Sequence, residues 1–152
     1  MSIIVCNVVN KYSKPVATDL GPMSVVRKSG REAFYGNDIP VTTDVLQFWQ
    51  WSASDLLSNA TRGVVAEFMV ASALGVADGV RKEWDAYDVV TKDGLRVEVK
   101  SAAYLQSWHQ ERFSTITFDI APTYGWDAST NQGSKAQKRQ ADAYVFCLLH
   151  HK

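Results

Sequence analysis

The chain has 152 residues, with 16 Lys and Arg against 16 Asp and Glu, so its formal net charge is zero. At 46% hydrophobic and 11% aromatic residues it can bury roughly 70% of the surface that an unfolded chain of this length exposes, which excludes intrinsic disorder and a fibrous repeat. Zero net charge also excludes a polybasic protein whose whole surface binds phosphate, while leaving room for a local basic groove.

The longest uncharged runs, residues 1–10, 45–54, 68–77 and 101–110, are ten residues each, well short of the ~20 that a membrane-spanning helix requires. No Lys or Arg precedes the apolar residues Ile3, Ile4 and Val5, so the N-terminus does not read as a signal peptide. Cys6 and Cys147 stand alone rather than in a C-x-x-C pattern. That usage fits a reducing cytoplasm and argues against a zinc site.

In chain order, residues 3–9 form a β-branched run that predicts a first strand. Residues 10–43 are punctuated by Pro15, Gly21, Pro22, Gly30, Gly36 and Pro40, which predicts a loop-rich arm. Residues 1–43 are therefore read as an N-terminal strand and arm, and residues 44–152 as the main α/β domain. From Asp44 to Gly75 apolar residues recur at three- and four-residue spacings, predicting helix, with Gly75 as its stop and Asn59 or Thr61 capping a separate second helix. Strand-like pieces follow at residues 87–91, 95–100, 114–121 and 143–149, and the Gly-, Ser-, Asn- and Thr-rich stretch 122–134 reads as a surface loop. The pattern is that of a mixed α/β domain with one sheet, at least partly antiparallel.

The chemistry concentrates in YDVVTKDGLRVEVK, residues 87–100. Lys92-Asp93-Gly94 reads as a three-residue hairpin loop with Gly in the left-handed position. Centring the hairpin on Asp93 sets Asp88 opposite Glu98. Alternation then puts Asp88, Glu98, Lys100 and Arg96 on one face and Val89, Val97 and Val99 on the other. Two directly opposed carboxylates repel unless a cation lies between them, and a hard divalent ion held by carboxylates and water would supply one. Lys100, on the same face, would position the attacking water or help to deprotonate it. Read by itself, the same pattern is equally the solvated face of an amphipathic hairpin. Glu67 falls on the apolar stripe of the second helix, either reaching solvent at its edge or pointing toward the metal.

Residues 62–75, RGVVAEFMVASALG, followed by YDVV, a turn and VEVKSA, resemble the PD-(D/E)xK nuclease superfamily, which is restriction-endonuclease-like and includes the Holliday-junction resolvases. Gly63 and Glu67 match that family's G-x-x-x-E, Asp88 its first acid, and Glu98, Val99 and Lys100 its E-x-K. The resemblance implies a core of helix, three-stranded antiparallel meander, helix and strand, with a central mixed sheet flanked by helices. It implies a Mg²⁺- or Mn²⁺-dependent nuclease cutting DNA, the metal held by Asp88, Glu98, the Val99 backbone carbonyl and Glu67. No Pro precedes Asp88, Asp85 competes with it as a ligand but is turned by strand parity to the opposite face and ranks second, and residues 135–141 are a short stretch for the second core helix.

Among the remaining signals, Trp49 and Trp84 read as core. Trp108 and Trp126 lie in polar contexts suited to stacking on a base or to a dimer contact. Lys135, Lys138 and Arg139 form a basic patch that is by default a solvated face and in a nuclease a phosphate-contacting surface. His109 reads as a surface loop residue, while the resemblance implies that its segment, with Trp108, borders the cleft. Two-strand cleavage would call for a homodimer. The alternative in another class is a non-catalytic nucleic-acid-binding or protein-interaction module on a nuclease-like fold.

Overall fold

The computed structural model describes residues 6–7, 24–36, 39–83, 85–127 and 130–151. Trp84 and most of the expected first strand at residues 3–9 lie outside them. The chain divides into two compact units, Met1–Ser54 and Asp55–Lys152.

In the first unit β1 (Cys6–Asn7), β2 (Ala33–Gly36) and β3 (Ile39–Asp44) form an antiparallel sheet in the order β1-β2-β3. The segment expected to be loop-rich thus carries two strands, Gly36 and Pro40 lying within them, because Phe34, Tyr35, Ile39, Val41, Thr42 and Thr43 favour the extended backbone. Asp44 ends β3 and caps α1 (Val45–Ala53) through a reciprocal box with Gln47, its Oδ1 accepting from the Gln47 amide at 2.8 Å. Trp49, expected in the core, is 40% exposed.

In the second unit Ser58 caps α2 (Asn59–Ala73), one residue before the nearer expected cap. Gly75, at φ +67°, ends the helix in a Schellman turn in which the Val76 amide donates to the Ala71 carbonyl at 2.9 Å. The sheet that carries the site is β4 (Val89–Val90), β5 (Arg96–Ala103) and β8 (Ala143–Leu149), ordered β4-β5-β8. β4 runs antiparallel to β5, while β8 runs parallel to it with Glu98 beside Tyr144 and Lys100 beside Phe146. This sheet is mixed, as the resemblance implied, but in place of the one sheet expected the described strands form three separate sheets. Val89, Val97 and Val99 are buried against Ala66 of α2, with Val70, Ala71, Val145 and Cys147 around them. Burial pushes the half-buried Cys147 thiol upward.

Three expected elements differ. The stretch 122–134, expected as a surface loop, carries the strand Thr123–Asp127 and the start of Gln132–Lys138, since Thr123, Tyr124 and Trp126 favour extended backbone. Residues 114–121 alternate between half-buried and exposed as a strand would, yet they pair with no strand among the described residues. They are tied in by the Ser114 amide donating to the Tyr104 carbonyl at 2.9 Å and by Phe118 resting on Phe146 of β8 with ring centroids 4.7 Å apart. The second core helix expected at residues 135–141 is replaced by an antiparallel hairpin of β6 (Thr123–Asp127) and β7 (Gln132–Lys138). Polar, exposed QGSKAQK has neither an apolar stripe for a helix to bury nor room to form more than two turns, and it lies instead against β6.

Candidate active site at the open edge of the sheet

Site geometry begins with the turn. Gly94 takes φ +88°, the Thr91 amide donates to the Leu95 carbonyl at 2.9 Å, and Val89 pairs with Val97. This is the register centred on Asp93, but the ladder ends at Val89 and the Asp88 amide donates to the Val97 carbonyl at 3.1 Å, so the expected pairing of Asp88 opposite Glu98 is not part of the ladder. The amide and carbonyl of one residue leave an extended strand on the same side, and like those of Val97 the Val99 pair faces the side on which β4 lies. β4 does not reach that far, and the Asp88 carboxylate takes the Val99 amide, at 2.6 Å. By the same geometry the Val99 carbonyl also faces this open edge.

Burial is the largest influence on Asp88 and raises its pKa; the Val99 amide opposes it, Glu98 and Glu67 raise it further, and Lys100 lowers it. Glu98 and Lys100 are joined at 2.6 Å, with side chains 22% and 37% exposed. Burial acts to lower the Lys100 pKa, but the bond to Glu98 and the charges of Glu98 and Asp88 outweigh it and hold the ammonium above its ordinary range. Lys100 is therefore a cation here, suited to holding a water or an anionic oxygen rather than to accepting a proton.

Glu67, which its helical position left either at the edge in solvent or pointing toward the metal, is 13% exposed and lies near enough to Asp88 for its charge to act there. Arg81, from the segment after α2, grips it with both arms of the guanidinium, Nε to Oε2 at 2.5 Å and Nη2 to Oε1 at 2.9 Å. Burial acts to lower the Arg81 pKa, but the stronger bond to Glu67, together with the charges of Glu67 and Asp88, keeps it raised. Arg81 is a site residue that periodicity could not find, since it lies in an irregular segment with no face to assign. Among the described residues no group of three or more His, Cys, Asp or Glu is gathered closely enough to hold a metal ion.

A cavity of about 680 Å³ opens beside this edge, lined by Glu83, Asp85, Asp88 and Glu98 and, from β6, by Tyr124 and Trp126. Asp85, the competing acid, thus shares the cavity with Asp88, and its partner is Lys82 at 3.9 Å. Lys135 and Lys138 are exposed on β7, and Arg139 follows it with Nε donating to the Ile120 carbonyl at 3.1 Å. Trp108, 60% exposed, and His109 lie after β5 and are not among the described residues that line the cavity.

Fold and site together define an α/β domain that gathers carboxylates, an arginine and a lysine beside a cavity at the open edge of a short mixed sheet. The chain belongs to the bacteriophage T4 endonuclease IV family, whose family model matches residues 42–152. The class is thus that of the nucleases. Neither a curated protein nor a solved structure matches the chain. Among the described residues no helix is long and apolar enough to cross a membrane.

Proposed function

We propose that this protein is a metal-dependent endonuclease that hydrolyses DNA phosphodiester bonds at the edge formed by Asp88, Glu98 and Lys100, as the PD-(D/E)xK resemblance implies. The observation that carries the reading is the convergence of those three side chains on one edge of β5 in a chain of an endonuclease family. The donor set fits a hard cation: one Asp88 oxygen and one Glu98 oxygen lie outside the bonds to Val99 and Lys100, and the Val99 carbonyl faces the same edge. Mg²⁺ is commonly held by one or two carboxylates completed by water and substrate phosphate. A bound Mg²⁺ or Mn²⁺ would supply Lewis-acid activation of water and neutralise charge on the phosphate.

The chain's own residues do the rest. Asp88 is fixed by the Val99 amide, so its free oxygen has a set direction. Lys100 holds the attacking water and, as a cation, offsets the charge that develops on the phosphate while the water oxygen bonds phosphorus and gives up its proton to solvent, and the P–O ester bond breaks with its leaving oxygen taking a proton from solvent. Glu67, steadied by Arg81, stands as a further or water-mediated ligand. Lys135, Lys138 and Arg139 meet the DNA backbone.

Salt bridges that already satisfy Glu67 and Glu98 favour the competing reading, a DNA-binding module without catalysis. Plasmid nicking separates the two. The endonuclease converts supercoiled DNA in Mg²⁺ or Mn²⁺ and stops in chelator; the module binds DNA, leaves it intact under every metal, and binds equally well after Asp88→Asn.

A further inference from the structure

The cavity beside Asp88 and Glu98 has a wall that the chemistry above does not use. Tyr124 and Trp126 are two apart on β6, so alternation turns both rings to one side of the strand, and both line the acidic cavity while remaining 62% and 44% exposed. The strand that carries them is locked from behind. Three residues of β7, Ser134, Lys135 and Ala136, lie opposite Gly125 alone, because Tyr124 pairs with Gln137 and Trp126 with Gly133. The Ser134 hydroxyl accepts from the Gly125 amide at 2.9 Å across that bulge. Gly125 leaves space for the Gln140 side chain, whose amide would lie only 3.0 Å from an added Cβ, and Gln140 Nε2 donates to the Thr123 carbonyl at 2.9 Å. Bulges of this kind re-aim side chains and are common beside active sites.

Charge indicates what such a wall serves. Four carboxylates, Glu83, Asp85, Asp88 and Glu98, line the same cavity, and their field repels a polyanion. Attraction that does not depend on charge must hold a nucleic-acid strand there, and base–aromatic stacking supplies it for any base. We propose that Tyr124 and Trp126 form a seat for a DNA base, stacking on the nucleotide beside the phosphodiester held at Asp88 and Glu98. This rests on the nuclease reading and adds to it the contact that orients the strand.

The test measures affinity by fluorescence anisotropy in chelator, so that the DNA stays intact. Short labelled single strands and their duplexes each carry one abasic nucleotide, moved stepwise along the sequence. Trp126→Ala should weaken binding to unmodified DNA roughly tenfold, the scale of one base–aromatic stack, and Trp126→Phe should restore most of it. One abasic position should weaken the unaltered protein by a similar factor and leave Trp126→Ala nearly unaffected. Tyr124→Ala should repeat the pattern at the same or the adjacent nucleotide. Equal losses on intact and abasic DNA, no loss in either variant, or loss of self-association without a change in abasic sensitivity would overturn the seat. Abasic-sensitive binding by a protein that cleaves nothing in Mg²⁺ or Mn²⁺ would keep the seat and remove the nuclease reading. Cleavage with unchanged affinity in both variants would do the reverse, and a protein that binds no DNA at all sinks both.

Discussion

The Asp88 carboxylate accepts the Val99 amide at 2.6 Å, standing in for a ladder partner that β4 is too short to provide. It is thereby both a structural plug at the edge of β5 and an acid held partly out of water. The two roles can be separated. Asp88→Asn keeps an acceptor for Val99 and removes the charge, whereas Asp88→Ala leaves the amide unpaired, so the alanine variant should be the less stable of the two by about 1 kcal/mol. Because the folded pKa of Asp88 is raised above its ordinary 3.8, ionisation costs stability as pH rises through that folded value. In chelator, Asp88→Asn should therefore melt above the unaltered protein at neutral pH, and the gain should shrink as the pH falls toward 3.8. Thermal melts across that range check both statements.

Glu67 and Arg81 form a two-armed pair with side chains 13% and 37% exposed. Exposed pairs contribute little, and this one gains from its fork geometry and from the more sheltered carboxylate. A double-mutant cycle of Glu67→Ala and Arg81→Ala should give a coupling of about 1 kcal/mol that falls with added salt. Coupling near zero at low salt would remove Arg81 from its steadying role.

Arg62 is 6% exposed, and its bonds run to neutral acceptors: the Leu57 carbonyl and Gln106 at 3.0 Å each, Ser101 at 3.2 Å and Asn59 at 2.6 Å. It ties the first turn of α2 to the far half of β5. Arg62→Ala strands those acceptors and should cost about 3 kcal/mol, and Arg62→Lys, lacking the fork, should recover less than half of that. Chemical denaturation measures both.

Asp142 joins the starts of β5 and β8, accepting from the Arg96 guanidinium at 2.5 and 2.8 Å and from the Arg96 amide at 3.0 Å. Those bonds hold its pKa at about 2. A depressed carboxylate contributes stability that is fully present above its ordinary 3.8 and lost as pH falls to about 2. Asp142→Asn should thus melt lower at neutral pH, and the difference should close between those two values.

The hairpin was legible in sequence because two local rules agree there. Gly94 marks the left-handed turn position, and the valines on one face alternate with Asp88, Glu98 and Lys100 on the other. Residues 143–149 were equally clear, since a short apolar run bounded by Asp142 and His150 favours a strand, here half-buried with Phe146 and Leu148 exposed. What failed was whatever depends on a partner. Residues 114–121 alternate correctly but find no ladder among the described residues, and QGSKAQK pairs through its backbone, to which composition is blind. The binding of Glu67 by Arg81 rests on a tertiary approach across 14 residues, and no periodicity encodes it.

The central claim is that Glu98 and Lys100 act together in metal-dependent cleavage at the β5 edge. The most direct measurement is the rate of plasmid nicking in Mg²⁺ by the unaltered protein, by Glu98→Gln and by Lys100→Met, with folding of each checked by its thermal melt. The account predicts metal-dependent nicking that falls by at least about a hundredfold in each folded variant, the scale of one charge-stabilising group lost from a transition state. Undiminished nicking by either folded variant would contradict it.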